Sequence, residues 1–394
     1  MSINVLLVGA GEINFGSVEG PWNHSLRLER KLGDRLRVVA LVDPDISRAK
    51  AAIEYKLAGL TAKAYQDCHA YATVKLAADS LSAENNNQPQ LAILGAPPVV
   101  RGSDIPGRDL ELQVARAFPE CALFVEKPVS SGPEDACWRV AAELSKRQTF
   151  VSVGYMLRYS RAVQAMQKII ADNKLVVMGT NARYVMAYLG GTRHLRAVVR
   201  RALYAHRACI HVLPLSAIVE QATHFCDLSR YFGGDVSLPS VTAHTVEHYD
   251  APGVLSAKRF DEEDIAPERR LPRLTSASWK YVNGAVGALT HVIALHGTTY
   301  DTEFEVYADG YRLKLIDPYG KPVLSVRRPG LEGEEIITFS DDDPFYTELS
   351  TLIDALHDPA MRDRILSTYG DAVKTYEFVS GARSRSHAAL HRLL

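Results

Sequence analysis

Val5-Leu6-Leu7-Val8 runs directly into Gly9-Ala10-Gly11, with a further glycine at position 16. A short apolar run closed by glycines reads as a buried strand entering a tight turn. Glycine is required where the backbone must turn sharply and approach a pyrophosphate. The N–H groups of a following helix can then meet the anion. Gly9, Gly11 and Gly16 are therefore candidate cofactor contacts, at a GxGxxxxG spacing longer than the usual GxGxxG. A second apolar run, 38–42, ends at Asp43. A carboxylate at that place can accept both hydroxyls of an adenosine ribose and would repel a 2′-phosphate, which favours NAD over NADP. Arg48 follows closely enough to keep NADP open.

Outward from this start, strand and helix alternate. Asp45 caps a helix reaching about residue 59, with Ala49, Ile53 and Leu57 on one face. Residues 70–81 read as helix and 85–89 as a polar loop. Strand 91–94 ends in Gly95-Ala96-Pro97-Pro98, and strand 122–125 in Glu126-Lys127-Pro128. Helices at 109–118 and 133–147 and a strand at 150–153 complete the set. The strands are continuously apolar, the signature of a parallel sheet covered on both faces. Residues 1–152 are thus expected to form a doubly wound, Rossmann-type dinucleotide domain, with Gly95, Ala96, Pro97, Glu126 and Lys127 on its cofactor side.

The pattern changes near Gly154. A helix at 161–172, a long strand at 176–189 and a helix at 214–232 precede a stretch rich in strands, 240–338. Asn283-Gly284 and Asp309-Gly310 mark hairpins, so this second sheet should be large, open and mostly antiparallel. Residues 250–272 read as a charged arm. Phe345, Leu349, Leu352, Ile353 and Leu356 form a helical stripe, and Thr368 with Asp371 resembles a capping box for a last helix. Residues 153–394 are expected to form the substrate-binding and oligomerisation domain.

The chain has 394 residues, 47% hydrophobic and 23% charged, with 45 basic against 46 acidic side chains. That is globular composition, and the balance of charge argues against a general nucleic-acid binder. No window approaches a membrane span, and the N-terminal apolar stretch is too short for a signal peptide. Five scattered cysteines without a CxxC read as reduced thiols of a cytoplasmic protein. His244 to His248 matches HxxEH, but β-branched neighbours favour a strand, so no metal site is expected there. The basic stretch 193–207 reads as a solvated helix face.

Two features carry chemistry. Lys127 stands at a strand end facing the ligand crevice, where an ammonium can stabilise a developing alkoxide. Glu220, His224 and Asp227 are spaced i, i+4, i+7 on one helix face. A carboxylate one turn away can orient an imidazole that takes the proton from an alcohol while hydride leaves its carbon.

Taken in order, Gly9-Ala10-Gly11, Glu126-Lys127-Pro128, Val153-Gly154-Tyr155 with Arg158-Tyr159, His224-Phe225-Cys226-Asp227-Leu228 before Gly233-Gly234, and Asn283-Gly284 resemble the Gfo/Idh/MocA oxidoreductases. The resemblance spans nearly the whole chain. It implies Lys127 and His224 as a catalytic pair, a cis bond before Pro128, and assembly as a homo-oligomer, dimer or tetramer, through the open sheet. It implies a sugar, cyclitol or related polyol as substrate, with Glu220 beside His224 and Tyr155, Arg158 and Tyr188 on the substrate rim. Two departures stand out: Glu220 occupies a place where the family commonly has Asp, and the glycine loop is lengthened through 12–21. The family also contains a non-catalytic NAD-binding co-repressor and redox-neutral enzymes that cleave glycosides, which stand as alternatives.

Overall fold

The computed structural model describes residues 2–18, 20–82, 88–187, 221–257, 270–297 and 300–390. The chain divides into two compact units, Met1–Gly154 with Phe345–Val373, and Tyr155–Pro344 with Lys374–Leu394.

In the first unit six parallel strands lie in the order β3-β2-β1-β4-β5-β6: β1 (Ile3–Val8), β2 (Leu36–Val42), β3 (His69–Tyr71), β4 (Leu91–Leu94), β5 (Ala122–Val125) and β6 (Val151–Val153). Every residue of β1, β4 and β5 is buried, as continuous apolar runs demand of a sheet covered on both faces. Between the strands run α1 (Glu12–Phe15), α2 (His24–Leu32), α3 (Ile46–Leu57), α4 (Val74–Leu81), α5 (Leu110–Ala117) and α6 (Glu134–Lys146). Asp45 caps α3 by accepting from the Arg48 N–H, as expected, but Leu57 points to solvent while Ala49 and Ile53 are buried. The span 70–81 is not one helix: β3 takes its start, and Thr73 then caps α4.

The stripe at 345–356 forms α9 (Pro344–His357), and its Leu349, Leu352 and Ile353 pack in one core with Ile3, Val5, Leu91, Ile93 and Phe124. This corrects the expected division at 152/153: residues 345–373 return to the first unit. The stripe alone shows an amphipathic helix, and only the tertiary packing decides which core it covers.

The second unit holds an eight-stranded sheet, ordered β14-β13-β12-β11-β7-β10-β9-β8. Its strands are β7 (Val177–Ala187), β8 (Thr242–Val246), β9 (Leu274–Lys280), β10 (Val286–Leu295), β11 (Asp301–Ala308), β12 (Tyr311–Ile316), β13 (Val323–Arg327) and β14 (Glu335–Thr338). β7 and β10 pair in parallel and the other pairs are antiparallel. Gly284 and Gly310 turn their hairpins at φ +93° and +71°, a region that favours glycine. The strands alternate buried and less buried residues, because one face is covered and the other is open. Against the covered face lies α8 (Thr223–Gly233), whose Phe225 and Phe232 meet Phe304 of β11. α7 (Arg161–Asp172) precedes the sheet, and α10 (Tyr369–Leu390) closes the chain, with Thr368 accepting from the Asp371 N–H. His244 lies on β8, a strand as expected.

Candidate active site

The order of chain connection in the first sheet reverses between β1 and β4, and ligands of such sheets bind outside the strand ends at that point. There Gly9 has φ +95° and donates its N–H to Val42 O at 2.8 Å. A Cβ on Gly9 would lie 3.1 Å from the Gly95 and Ala96 backbone, so the two strand ends nearly touch. A Cβ on Gly11 would meet nothing within 4 Å, leaving open space in front of the turn.

The lengthened loop alters the path of the chain beyond the glycines. Instead of one helix there is the single turn α1, ended by Gly16 at φ +110°. A Cβ on Gly16 would lie 3.0 Å from the Asn23 amide, and Asn23 in turn caps α2 by accepting from the Leu26 N–H. Gly16 thus serves the loop. The close helix-to-strand approach falls to Gly95, where a Cβ would come within 2.7 Å of Asn14. Asn14 donates to the carbonyls of Val8 and Gly9, locking α1 onto the end of β1.

Asp43 is 2% exposed and already held by protein donors. It accepts from the N–H groups of Ala10 (2.7 Å) and Asp45 (2.8 Å) and from the Arg48 guanidinium (2.7 and 2.9 Å). Its first task is to tie the glycine turn to the end of β2. A ribose diol at this carboxylate would compete with Arg48, whose side chain is half exposed.

At the end of β5, Lys127 is half-buried and the Lys127-Pro128 bond is cis, as the resemblance implied. Beside it Glu126, 7% exposed, binds His24 Nε2 at 2.6 Å, and His24 is fully buried. Burial pushes the Glu126 carboxyl up, but the His24 hydrogen bond and charge, with Lys127 and Arg101, outweigh it and hold the group below its ordinary value. Glu126 also accepts from the Lys127 N–H at 3.2 Å, fixing the backbone that carries the lysine.

Arg101, 2% exposed, donates to Ala96 O (3.0 Å) and to Glu126 O, joining the ends of β4 and β5. Glu111 lies behind it, accepting from the Gly102 N–H at 3.0 Å and from the Tyr369 hydroxyl at 3.0 Å. Burial raises the Glu111 carboxyl, opposed by Arg101 and these donors. The open space before Gly11, the main-chain N–H groups of the turn and the two clamped strand ends fit a dinucleotide held largely by backbone.

In the second unit His224 lies on α8, 7% exposed. Tyr155 presents a ring edge to it at 5.9 Å and bonds Thr223 Oγ1 at 3.2 Å, and Tyr319 approaches it at 6.1 Å. Tyr155 is wholly buried beside the imidazole, not on an exposed rim.

Arg158 is likewise buried. It is 4% exposed and binds Asp227 through two hydrogen bonds of 2.7 and 2.6 Å, and Thr375 donates to the same carboxylate at 3.0 Å. A buried ion pair of this kind anchors α8. Glu220 and Tyr188 lie outside the described residues, as do 193–207.

His24, Arg101 and Glu111 escaped the sequence reading. Their most distant partners are 102, 25 and 258 residues away, and no local pattern marks such pairs.

Comparison with known proteins matches residues 3–155 to the Gfo/Idh/MocA model, "Oxidoreductase family, NAD-binding Rossmann fold". Residues 158–311 match "Putative oxidoreductase C terminal domain". Two uncharacterized proteins of Schizosaccharomyces pombe are each 41% identical to the chain. One alignment covers 95% of this chain and 94% of the relative, the other 94% and 88%. Among solved structures, a UDP-N-acetylglucosamine 3-dehydrogenase from Acidithiobacillus ferrooxidans is similar at 12% identity and a TM-score of 0.67, over 98% of this chain and 99% of that one. A 3-ketoreductase from Actinomadura kijaniata, in complex with NADP and TDP-benzene, is similar at 13% identity and 0.66, over 98% of both chains. An oxidoreductase from Agrobacterium radiobacter, in complex with NAD+, L-tartaric acid and magnesium, is similar at 13% and 0.67, over 98% and 97%.

Proposed function

The chain belongs to the Gfo/Idh/MocA oxidoreductase family, whose first domain is an NAD-binding Rossmann fold, and on that premise we propose that it transfers hydride between NAD and a hydroxyl-bearing or carbonyl carbon of a sugar, cyclitol or related polyol. The observation that carries this reading is the half-buried Lys127 at the end of β5, held by the Glu126–His24 pair in the same row of strand ends as Gly9 and Gly95. When bound, the nicotinamide ring accepts or gives the hydride. Lys127 steadies negative charge on the reacting oxygen. His224 takes or returns the hydroxyl proton, with Glu220 to orient it or to grip a neighbouring hydroxyl. Gly9, Gly11, Gly95, Ala96 and Pro97 offer backbone to the dinucleotide, and Asp43 with Arg48 sets the choice between NAD and NADP. The open face of the second sheet is the surface for a homo-oligomer, checked by light scattering of the purified chain.

The test is dinucleotide binding followed by turnover. NADH fluorescence should report binding to the wild type and to Lys127→Ala and His224→Ala. Turnover of any accepted polyol should fall about 10²- to 10⁴-fold in each variant. A chain that binds no dinucleotide, or variants that keep full turnover, would defeat the reading. Binding without hydride transfer across a broad polyol and aldehyde panel would favour a co-repressor-like regulator instead.

A further inference from the structure

His24 stands at the first position of α2, beyond the lengthened glycine loop, and reaches the strand end that carries Lys127. The loop puts it there. Gly16 leaves room for the Asn23 amide, and Asn23 caps α2 directly before His24. The Asn23 side chain accepts from the Leu26 N–H at 3.0 Å and from the Ser25 hydroxyl at 2.9 Å, so the turn at His24 is fixed twice. The imidazole lies edge-on to Phe124 of β5, with ring centroids 5.0 Å apart, and its Nε2 meets Glu126 at 2.6 Å. Water is kept from both side chains of this pair, which are 1% and 10% exposed.

Joining the strand ends does not require this pair, because Arg101 already ties β4 to β5. The pair acts instead on the lysine. Glu126 is held below its ordinary value and is therefore a carboxylate at neutral pH. A carboxylate only accepts, so Nε2 carries the hydrogen of the bond. The other ring nitrogen, Nδ1, is buried without a partner among the described residues, which leaves Glu126 as the one group the ring answers there. The second carboxylate oxygen of Glu126 accepts from the Lys127 N–H at 3.2 Å. Around the carboxyl stand His24 from α2, Lys127 from the adjoining residue, Arg101 from the segment after β4, and the Gly154 backbone at the end of β6, where a Cβ would lie 3.3 Å from the carboxyl atoms. Without the imidazole, burial favours the neutral acid, and the charge beside Lys127 is lost.

We propose that His24 is a positioning residue for Lys127: it keeps Glu126 as a fixed anion, and that anion holds the lysine as an ammonium on a rigid backbone. The inference rests on the oxidoreductase reading above, in which Lys127 steadies charge on the reacting oxygen, and it adds the group that sets the lysine's own charge. An ammonium stabilises a developing alkoxide, and a neutral amine does so far less. A neighbouring anion favours the ammonium. His24 acts through Glu126 and takes no proton from the substrate.

The test is the reactivity of Lys127 toward acetic anhydride, which acylates the neutral amine. The full-length chain without dinucleotide is labelled at neutral pH, and the peptide carrying residue 127 is quantified by mass spectrometry. His24→Leu and Glu126→Gln should each acetylate Lys127 about three- to tenfold faster than the wild type, and the double variant no faster than either. His24→Gln keeps an N–H donor and should return the rate to within about twofold of the wild type. Lys56 is the internal control: it is buried and bonds Glu29 of α2 at 2.8 Å, so a loosening of that helix would speed its labelling too. A Lys127 rate unchanged in both single variants, a rise matched by Lys56, or a His24→Gln variant as fast as His24→Leu would each overturn the proposal. On any accepted polyol, His24→Leu should lower kcat about tenfold while the NADH dissociation constant stays within about twofold. The acid limb of its kcat profile should move to higher pH, because burial then raises the Glu126 carboxyl. Full kcat in His24→Leu would equally overturn the proposal. A wild type that binds no NADH would instead defeat the oxidoreductase reading, and the labelling rates would still decide whether His24 sets the charge of Lys127.

Discussion

At the strand ends of the first unit, Asp43, Arg101, Glu111 and Glu126 are buried and each is held by groups of the protein: Asp43 by two N–H groups and Arg48, Glu111 by Gly102 and Tyr369, Glu126 by His24. Arg101 is held between two strand-end carbonyls. On the covered face of the second unit's sheet, Thr275, His291 and Thr302 are as deeply buried and leave polar atoms without partners among the described residues. The first arrangement fixes a backbone shape, which suffices for a dinucleotide read largely through main-chain groups. The second leaves hydroxyl and imidazole atoms buried without such a clamp among the described residues.

Replacing a clamped charge and replacing one of these unclamped side chains should therefore differ sharply in their cost to stability. Arg101→Met removes the donor to Ala96 O and Glu126 O and leaves Glu111 without its cation. A loss of about 3–5 kcal/mol in denaturant unfolding is expected, as for a buried pair broken on one side. Thr302→Val should stay within about 0.5 kcal/mol or stabilise. Equal losses in the two variants would erase the contrast. Gly95→Ala comes next, since its Cβ would press on Asn14 and Ile13 at 2.7 Å. About 1–3 kcal/mol of destabilisation and weaker NADH binding are expected.

Glu126 sharpens the comparison through pH. Its carboxyl is held below its ordinary value of 4.5, so its stabilising contribution is complete above that value and is lost as pH falls through the lower folded value. Glu126→Gln should flatten the acid limb of a stability–pH curve, and an unchanged limb would show that the His24 pair contributes nothing. The smallest effect belongs to Arg48→Ala. Freeing Asp43 from its guanidinium should shift preference toward NAD by a few-fold, about 1 kcal/mol, measured as the ratio of NADH to NADPH dissociation constants.

The fold was legible wherever a signal was local. Apolar runs closed by glycine placed β1 and β4, and Asn283-Gly284 placed the hairpin between β9 and β10. β3 was missed because three half-buried or exposed edge residues make no apolar run, and β14 because it is largely exposed. Of the site, the tripeptide at 126–128 announced Lys127. A charged residue, however, carries no sign of its own burial: Arg158 reads as a rim residue until Asp227, 69 positions later, is seen against it. The alignment of Thr302, His291 and Thr275 was invisible for a related reason, since it exists only across four paired strands.

The return of residues 345–373 to the first unit bears on how the chain is made. A ribosome releases the amino-terminal strands early, but Leu349, Leu352 and Ile353 reach them only after the whole 155–344 segment has emerged. Until then part of the nascent core is bare to solvent, and a message truncated before codon 345 would yield a sticky fragment rather than an independent nucleotide-binding module.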